Sequence, residues 1–493
     1  MLFNSYVFVF LFFPVVLLGY FGLNRFGKYQ LSKIFLIGAS LYFYGYFNWY
    51  YLTIIVTSII LNYFFSRVLL SEKTTMACRK MTFVVAMVIN VGSLGIFKYY
   101  DFFVDNVNTV FKTSLPLLHI LLPLGISFFT FQQLSYIIDS YKSDVPKYSF
   151  FDYALFVTYF PQLIAGPIVT HDEMVPQFED VTKKKFNADN FACGLYGFAL
   201  GLGKKVIIAD TLGLVVDTAF GDVTELGTTN ALLVMLAYTF QIYFDFSGYS
   251  DMAMGIGKMM NIDIVQNFNS PYKAVGIVDF WKRWHITLTR FFTRYIYIPL
   301  GGNRKGTART YLNIFIVYLV SGLWHGANWT FIVWGILHGF ASVVTRFLDG
   351  KTGMFSQQKS KVLRGVLWLF TFLFLNLTWV MFRADSITQA MEFYQQLFGG
   401  NFTAFNSEYI KLLQTDGIAL VGNIVPLIGD YIKQYSYVLL FVLAFFFSVF
   451  AKNASHRIQN YELKWYHPVI TAGLLFWSIM SFAGESSFLY WNF

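Results

Sequence analysis

Charge is what this 493-residue chain has least of. Asp, Glu, Lys and Arg make up 13% of it, against about 25% in soluble domains, which excludes an ordinary water-soluble fold. Cysteine is nearly absent. Cys78 and Cys193 stand far apart without metal-ligand spacing, so neither a required disulfide nor a zinc site is expected. No Gly-x-Ser-x-Gly elbow, Walker loop or Rossmann fingerprint stands in a fitting context, and Gly201-Leu202-Gly203-Lys204-Lys205 lacks the spacing of a phosphate loop. The first apolar segment, Val7 to Tyr20, has no basic n-region and no evident small-residue cleavage site, so it reads as a retained span. The short alternating segments that build a β-barrel are missing as well.

What the chain has instead is apolar length. Hydrophobic residues reach 56%, and long apolar runs recur throughout. The expected fold class is an all-α polytopic membrane protein. Aromatic residues, 21% of the chain, read mostly as interface anchors and core packing. The net charge of +9 sits in short loops, where the positive-inside rule explains it without nucleic acid. Candidate spans are 4–22, 34–47, 50–66, 82–97, 117–138, 151–169, 191–217, 230–246, 311–327, 329–345, 363–382, 418–428, 436–451 and 468–484. Several are short or broken by Gly and Pro, so about eleven full spans are expected, the remainder being re-entrant or interfacial. Residues 1–493 read as one integral membrane domain, with a motif-bearing core at 115–345 and C-terminal helices at 346–493.

Basic loops set the orientation. Arg25, Lys28 and Lys33, then Arg67, Lys73, Arg79 and Lys80, then Lys142 and Lys147, follow the first, third and fifth spans. Placing them in the cytoplasm puts the N-terminus outside. The densest basic segment, from Lys282 to Arg309, falls on the cytoplasmic side too, as do Arg346 and Lys351. The stretch 311–345 is then a hairpin that leaves the cytoplasmic face and returns to it, with His325 near its turn.

Tyr311 to Val344 contains no Lys, Arg, Asp or Glu, yet it holds Trp324-His325-Gly326. A group that titrates near neutrality, placed in hydrocarbon, is a functional candidate by default. Desolvation keeps such an imidazole in its basic form, able to take a proton from a hydroxyl attacking a carbonyl. The competing reading is a satisfied core histidine beside packing glycines, since Gly322 and Gly326 permit close helix contact. Asn328 follows in the same cluster, and His338 reads as packing or support. A second pair, Trp284-His285, lies 40 residues before the first. Read as one helix from an Asp279 N-cap to Tyr295, the segment puts Trp281, Trp284, His285 and Leu288 on one stripe and Arg283, Arg290 and Arg294 on the other. Those arginines suit a phosphorylated donor; they equally suit a solvated interfacial face. Pro299-Leu300-Gly301-Gly302-Asn303-Arg304 is a turn whose glycines admit an anion, weak as a phosphate cradle by itself. Asp245, in Tyr243-Phe244-Asp245-Phe246-Ser247-Gly248, reads as a carboxylate near the end of a span that pairs with a cavity arginine, orients a histidine, or is purely structural.

Together these stretches resemble the membrane-bound O-acyltransferase family, and within it the alginate O-acetyltransferase branch. The similarity rests on Asp279-Phe280-Trp281-Lys282-Arg283-Trp284-His285, on Tyr297-Ile298-Pro299-Leu300-Gly301-Gly302-Asn303-Arg304 and on Leu323-Trp324-His325-Gly326. Leu122 to Phe128, Phe160 to Ile168 and Tyr243 to Asp251 support it, as does the aromatic end Leu489-Tyr490-Trp491-Asn492-Phe493. The resemblance implies tilted helices around a thin core, with funnels from both faces. It maps the family's catalytic histidine onto His325 and its second histidine onto His285. It implies transfer of an acyl group, expected to be acetyl, from a cytoplasmic thioester to a cell-surface polysaccharide. The donor would be acetyl-CoA or an acyl-carrier protein, with an extracytoplasmic partner protein and no bound cofactor. The rivals are the branch that moves D-alanine to teichoic acid, and a transporter that makes no bonds.

Overall fold

The computed structural model describes residues 1–143, 145–357, 360–414 and 426–482. Its regular structure among these residues is helical. Several of the expected spans are divided or shortened, because hydropathy registers apolar length and not where a backbone turns. Residues 117–138 become a helix only from Ile126, and 151–169 divides into Phe150–Thr158 and Phe160–Leu163. The span 418–428 and the aromatic end 489–493 lie outside or largely outside the described residues. Among the described residues six helices are long and apolar enough to cross a membrane: Phe8–Arg25, Tyr50–Leu69, Met76–Phe111, Gly227–Met259, Trp329–Thr352 and Lys361–Arg383. Tyr435–Val449 and Tyr466–Met480 are shorter apolar helices.

The chain divides into two compact units. The first comprises 1–195 and 253–265. Helices α1 (Phe13–Arg25), α2 (Tyr29–Gly45), α3 (Tyr50–Leu69), α4 (Met76–Leu94) and α5 (Ile126–Lys142) form much of it. Its interior is laced with polar pairs, since a membrane helix cannot leave donors unmet. Asn62 and Asn90 exchange amide hydrogen bonds at 2.7 and 3.1 Å. Lys33 and Asp152 form a buried ion pair. The Tyr148 hydroxyl meets His171 Nδ1 at 3.1 Å, and His171 Nε2 lies 3.5 Å from Asp139.

The second unit comprises 196–252 and 266–493. The 33-residue helix α6 (Gly227–Met259) begins in it. Gly201 and Gly248 let two backbones close up here, for a Cβ on either would fall 2.6 or 2.8 Å from the other's carbonyl oxygen. A π-helical turn, Lys204–Asp210, then aims two lysines at α6. Lys204 reaches Asp251 at 2.5 Å, and buried Lys205 lies 2.7 Å from Asp245 and 2.6 Å from Asp210.

The histidine-bearing elements follow. They are α7 (Ile277–Trp281), α8 (Ile286–Phe292), α9 (Thr307–His325), α10 (Trp329–Thr352) and α11 (Lys361–Arg383). The hairpin expected at 311–345 is α9 and α10, joined by residues 326–328. Its closeness depends on Gly322 and Gly335. A Cβ on Gly322 would lie 2.4 Å from the Phe331 carbonyl oxygen and 3.2 Å from the Gly335 Cα. Gly326, the other glycine of the expected contact, abuts the Phe331 ring.

Candidate active site

The single helix expected from Asp279 to Tyr295 does not exist. It breaks after Trp281 and resumes at Ile286. Gly276, at φ 91°, caps the first piece. Asp279 sits inside the first turn, accepting from the Val275 N–H at 3.2 Å and from Arg283 Nε at 2.9 Å. Between the pieces His285 adopts φ 45°, ψ 52°, a left-handed conformation that L-residues with a Cβ enter at a cost. A periodicity count cannot foresee this, because the apolar stripe survives the break.

The break turns His285 inward. The ring is wholly buried. Its Nδ1 lies 3.2 Å from Asn267 Oδ1, an oxygen that also accepts from Thr287 Oγ1 at 2.9 Å. An amide oxygen is only an acceptor, so Nδ1 carries the proton and Nε2 keeps the lone pair. His285 lies outside the six apolar spans, and burial lowers its pKa to about 3, which holds the ring neutral. Asn267 gave no signal in the sequence; a lone Asn before a turn reads as loop.

His325 ends α9 and is 2% exposed. Its ring touches Trp324 at 4.9 Å, Trp334 at 5.1 Å and Phe382 at 5.0 Å between centroids. Trp324 in turn touches His285 at 5.9 Å. The two histidines, 40 positions apart in sequence, therefore share one indole. Trp284 stands in the wall behind, 5.0 Å from Trp379 and 5.5 Å from Phe280. Trp379 and Phe382 belong to α11, beyond the 115–345 segment that carries the motifs. The sequence does not single them out, because aromatics in an apolar helix read as packing.

His338 is the supporting ring. Trp281 Nε1 donates to its Nδ1 at 3.2 Å. Its Nε2–H is left to donate to Thr378 Oγ1 at 3.0 Å, and Thr378 donates onward to the Leu375 carbonyl at 3.1 Å. Both nitrogens are thus committed, and the ring packs 4.6 Å from Trp334.

A cavity of about 170 Å³ opens beside this cluster. Val278, Trp281, Leu288 and Phe292 line one side, Ile314, Val317 and Ser321 another. Ser321 is one helical turn before His325. The cations of its lining are the exposed Lys282 and Arg346. Arg283, Arg290 and Arg294 are not among the lining residues. Arg283 is engaged with Asp279, Arg290 is exposed, and Arg294 lies over the Tyr295 ring at 5.4 Å.

Four further candidate residues are engaged or exposed elsewhere. Asp245 stands in the middle of α6, not at the end of a span, and its ion pair is with Lys205 rather than an arginine. Asn303 and Arg304 are exposed. The turn beside them uses its own amides: Gly301 N donates to Ile298 O, Gly302 N to Tyr297 O and Arg304 N to Gly301 O. Those N–H groups are committed within the turn and do not form a phosphate cradle. Asn328 caps α10, accepting from the Thr330 N–H at 3.0 Å while its amide donates to the Asp385 carbonyl at 2.8 Å.

An all-helical membrane protein that sets two imidazoles against one indole, beside a cavity with a basic rim, has the makings of a membrane acyltransferase. The chain belongs to the membrane-bound O-acyltransferase family, whose model matches residues 116–383. It is 41% identical over 527 residues to a peptidoglycan O-acetyltransferase of Helicobacter pylori, covering 100% of this chain and 98% of that one. It is 41% identical over 404 residues to a probable alginate O-acetylase of Pseudomonas aeruginosa, covering 81% of this chain and 75% of that one. Similarity to the teichoic acid D-alanyltransferase of Bacillus subtilis is lower, 26% over 239 residues, covering 46% of this chain and 59% of that one.

Proposed function

We propose that this protein O-acetylates a cell-envelope polysaccharide, taking the acetyl group from a thioester on the cytoplasmic side. One observation carries the reading: His285 and His325 meet the same Trp324 ring, one turn from Ser321 in the cavity wall. The donor, acetyl-CoA or an acylated carrier protein, enters past Lys282 and Arg346, which attract its phosphate groups. Apolar walls take up the rest of its arm. His325 removes the proton from the acceptor hydroxyl as the oxygen adds to the thioester carbon. The C–S bond then breaks, and the departing thiolate takes the proton from the imidazolium. His285, with its lone pair on Nε2, assists on the donor side.

The finer architecture belongs to the same proposal. We read about eleven spans, with shorter and tilted helices around a thin centre reached from both faces, in the cytoplasmic membrane. An extracytoplasmic partner protein passes the acetyl group to the glycan. Peptidoglycan is the first acceptor to examine, because the peptidoglycan O-acetyltransferase aligns over nearly its whole length. Mass spectrometry of envelope glycans from a deletion strain tests the proposal. Loss of ester-linked acetate from one polymer, restored by the intact gene, is the expected result. Unchanged acetate on every polymer would overturn it.

A further inference from the structure

The indoles packed into the second unit are unequally satisfied. Trp281 donates to His338 at 3.2 Å, and Trp368 donates to the Tyr272 carbonyl at 2.8 Å. Trp334 and Trp379, 0% and 1% exposed, have indole N–H groups with no hydrogen-bond acceptor among the described residues. An unmet donor in a dry interior is costly, and here two stand together. Their rings stack 6.0 Å apart at 22°. Both touch Phe382, at 5.1 and 5.4 Å. Trp334 also touches His325, edge to face at 85°.

An indole N–H only donates, so its missing complement is an acceptor. The walls around the pair are aromatic, with Phe280, Trp284 and Phe382 in contact. Such a lining disfavours a resident anion and suits a neutral carbonyl that gains charge only during reaction, where dry, fixed donors act most strongly. We propose that the indole N–H groups of Trp334 and Trp379 bind the carbonyl oxygen of the acyl group under transfer and stabilise its oxyanion. When the acceptor oxygen adds to the carbonyl carbon, the π pair moves onto that oxygen and is held by the two donors. The pair returns as the C–S bond breaks. The inference rests on the acyl-transfer reading and adds catalytic residues to it.

Trp334→Phe and Trp379→Phe keep a ring and delete the N–H. Each is expressed in the deletion strain, and the initial rate of ester-linked acetate formation is measured per folded membrane protein. Each substitution is expected to lower that rate about 10²-fold. Raising the donor supply should not restore it, because the defect lies in turnover. Should a phenylalanine variant fail to accumulate, 3-benzothienylalanine at the same position exchanges the N–H for sulfur in a ring of similar size, and the same loss is expected. Rates within about twofold of wild type for both positions would overturn the proposal. His325→Ala separates the two layers. If it is inactive while the indole variants are active, only the assignment of the oxyanion donors falls; if it is active, the assignment of His325 as the base falls, and if the empty deletion strain itself keeps wild-type acetate, the acyl-transfer reading falls.

Discussion

His285 shows what one side chain can impose on a backbone. Its left-handed conformation places the ring against Trp324 and fixes its tautomer through Asn267. Asn tolerates that conformation better than most residues. His285→Asn should therefore keep the fold while lowering acetyl transfer by about 10² or more, measured as ester-linked acetate per membrane protein. Burial also gives this ring a pH signature. The unfolded chain protonates the imidazole near 6.5 and the folded chain only near 3, so the unfolded state binds the extra proton between those values. Its contribution lowers stability as pH falls from about 6.5 toward 3 and is flat above that range. Thermal midpoints in detergent should drop over this window in the wild type and drop less in His285→Asn; equal drops would contradict the assignment. Both histidines were legible in the sequence, because a titratable group near or within an apolar run stands out. Asn267, Trp334, Trp379 and Phe382 were not, because nothing in composition separates them from loop or core residues.

At the level of elements, the α9–α10 hairpin is the scaffold of the site. Its two backbones approach at Gly322 and Gly335, and His325 stands at the end of the first arm. Gly322→Val should force the arms apart, costing about 1–3 kcal/mol and displacing His325. A lower thermal midpoint together with lost acetyl transfer is the expected outcome, while full activity would show that the contact does not position the histidine. The hairpin itself was legible from its uncharged run and its glycines. The break in 277–297 was hidden, since an apolar stripe continues through a turn whenever the turn preserves the facing of the flanking helices. Asp245 was misplaced for a related reason: hydropathy ends a span at a carboxylate, whereas the helix continues because lysines from a π-turn meet its charges.

Across the molecule, most of the chain is apolar helix, so its few buried charges must be paired. Lys205 holds both Asp245 and Asp210, and Lys204 holds Asp251. Removing one member leaves a stranded charge. Lys205→Met should cost about 3–5 kcal/mol and lower the amount of protein in the membrane; a Lys205→Met/Asp245→Leu double variant should recover part of it. Undiminished accumulation of the single variant would show that the pair is not a structural tie. A transporter would need such charges to change partners along a path, whereas the acyltransferase account needs them fixed and assigns the chemistry to the histidines. The most direct test is the ester-linked acetate on envelope glycans of a deletion strain carrying His325→Ala at wild-type membrane levels. The account predicts that acetate falls to the level of the empty strain while the purified variant remains folded. Acetate at the wild-type level in that strain would contradict it.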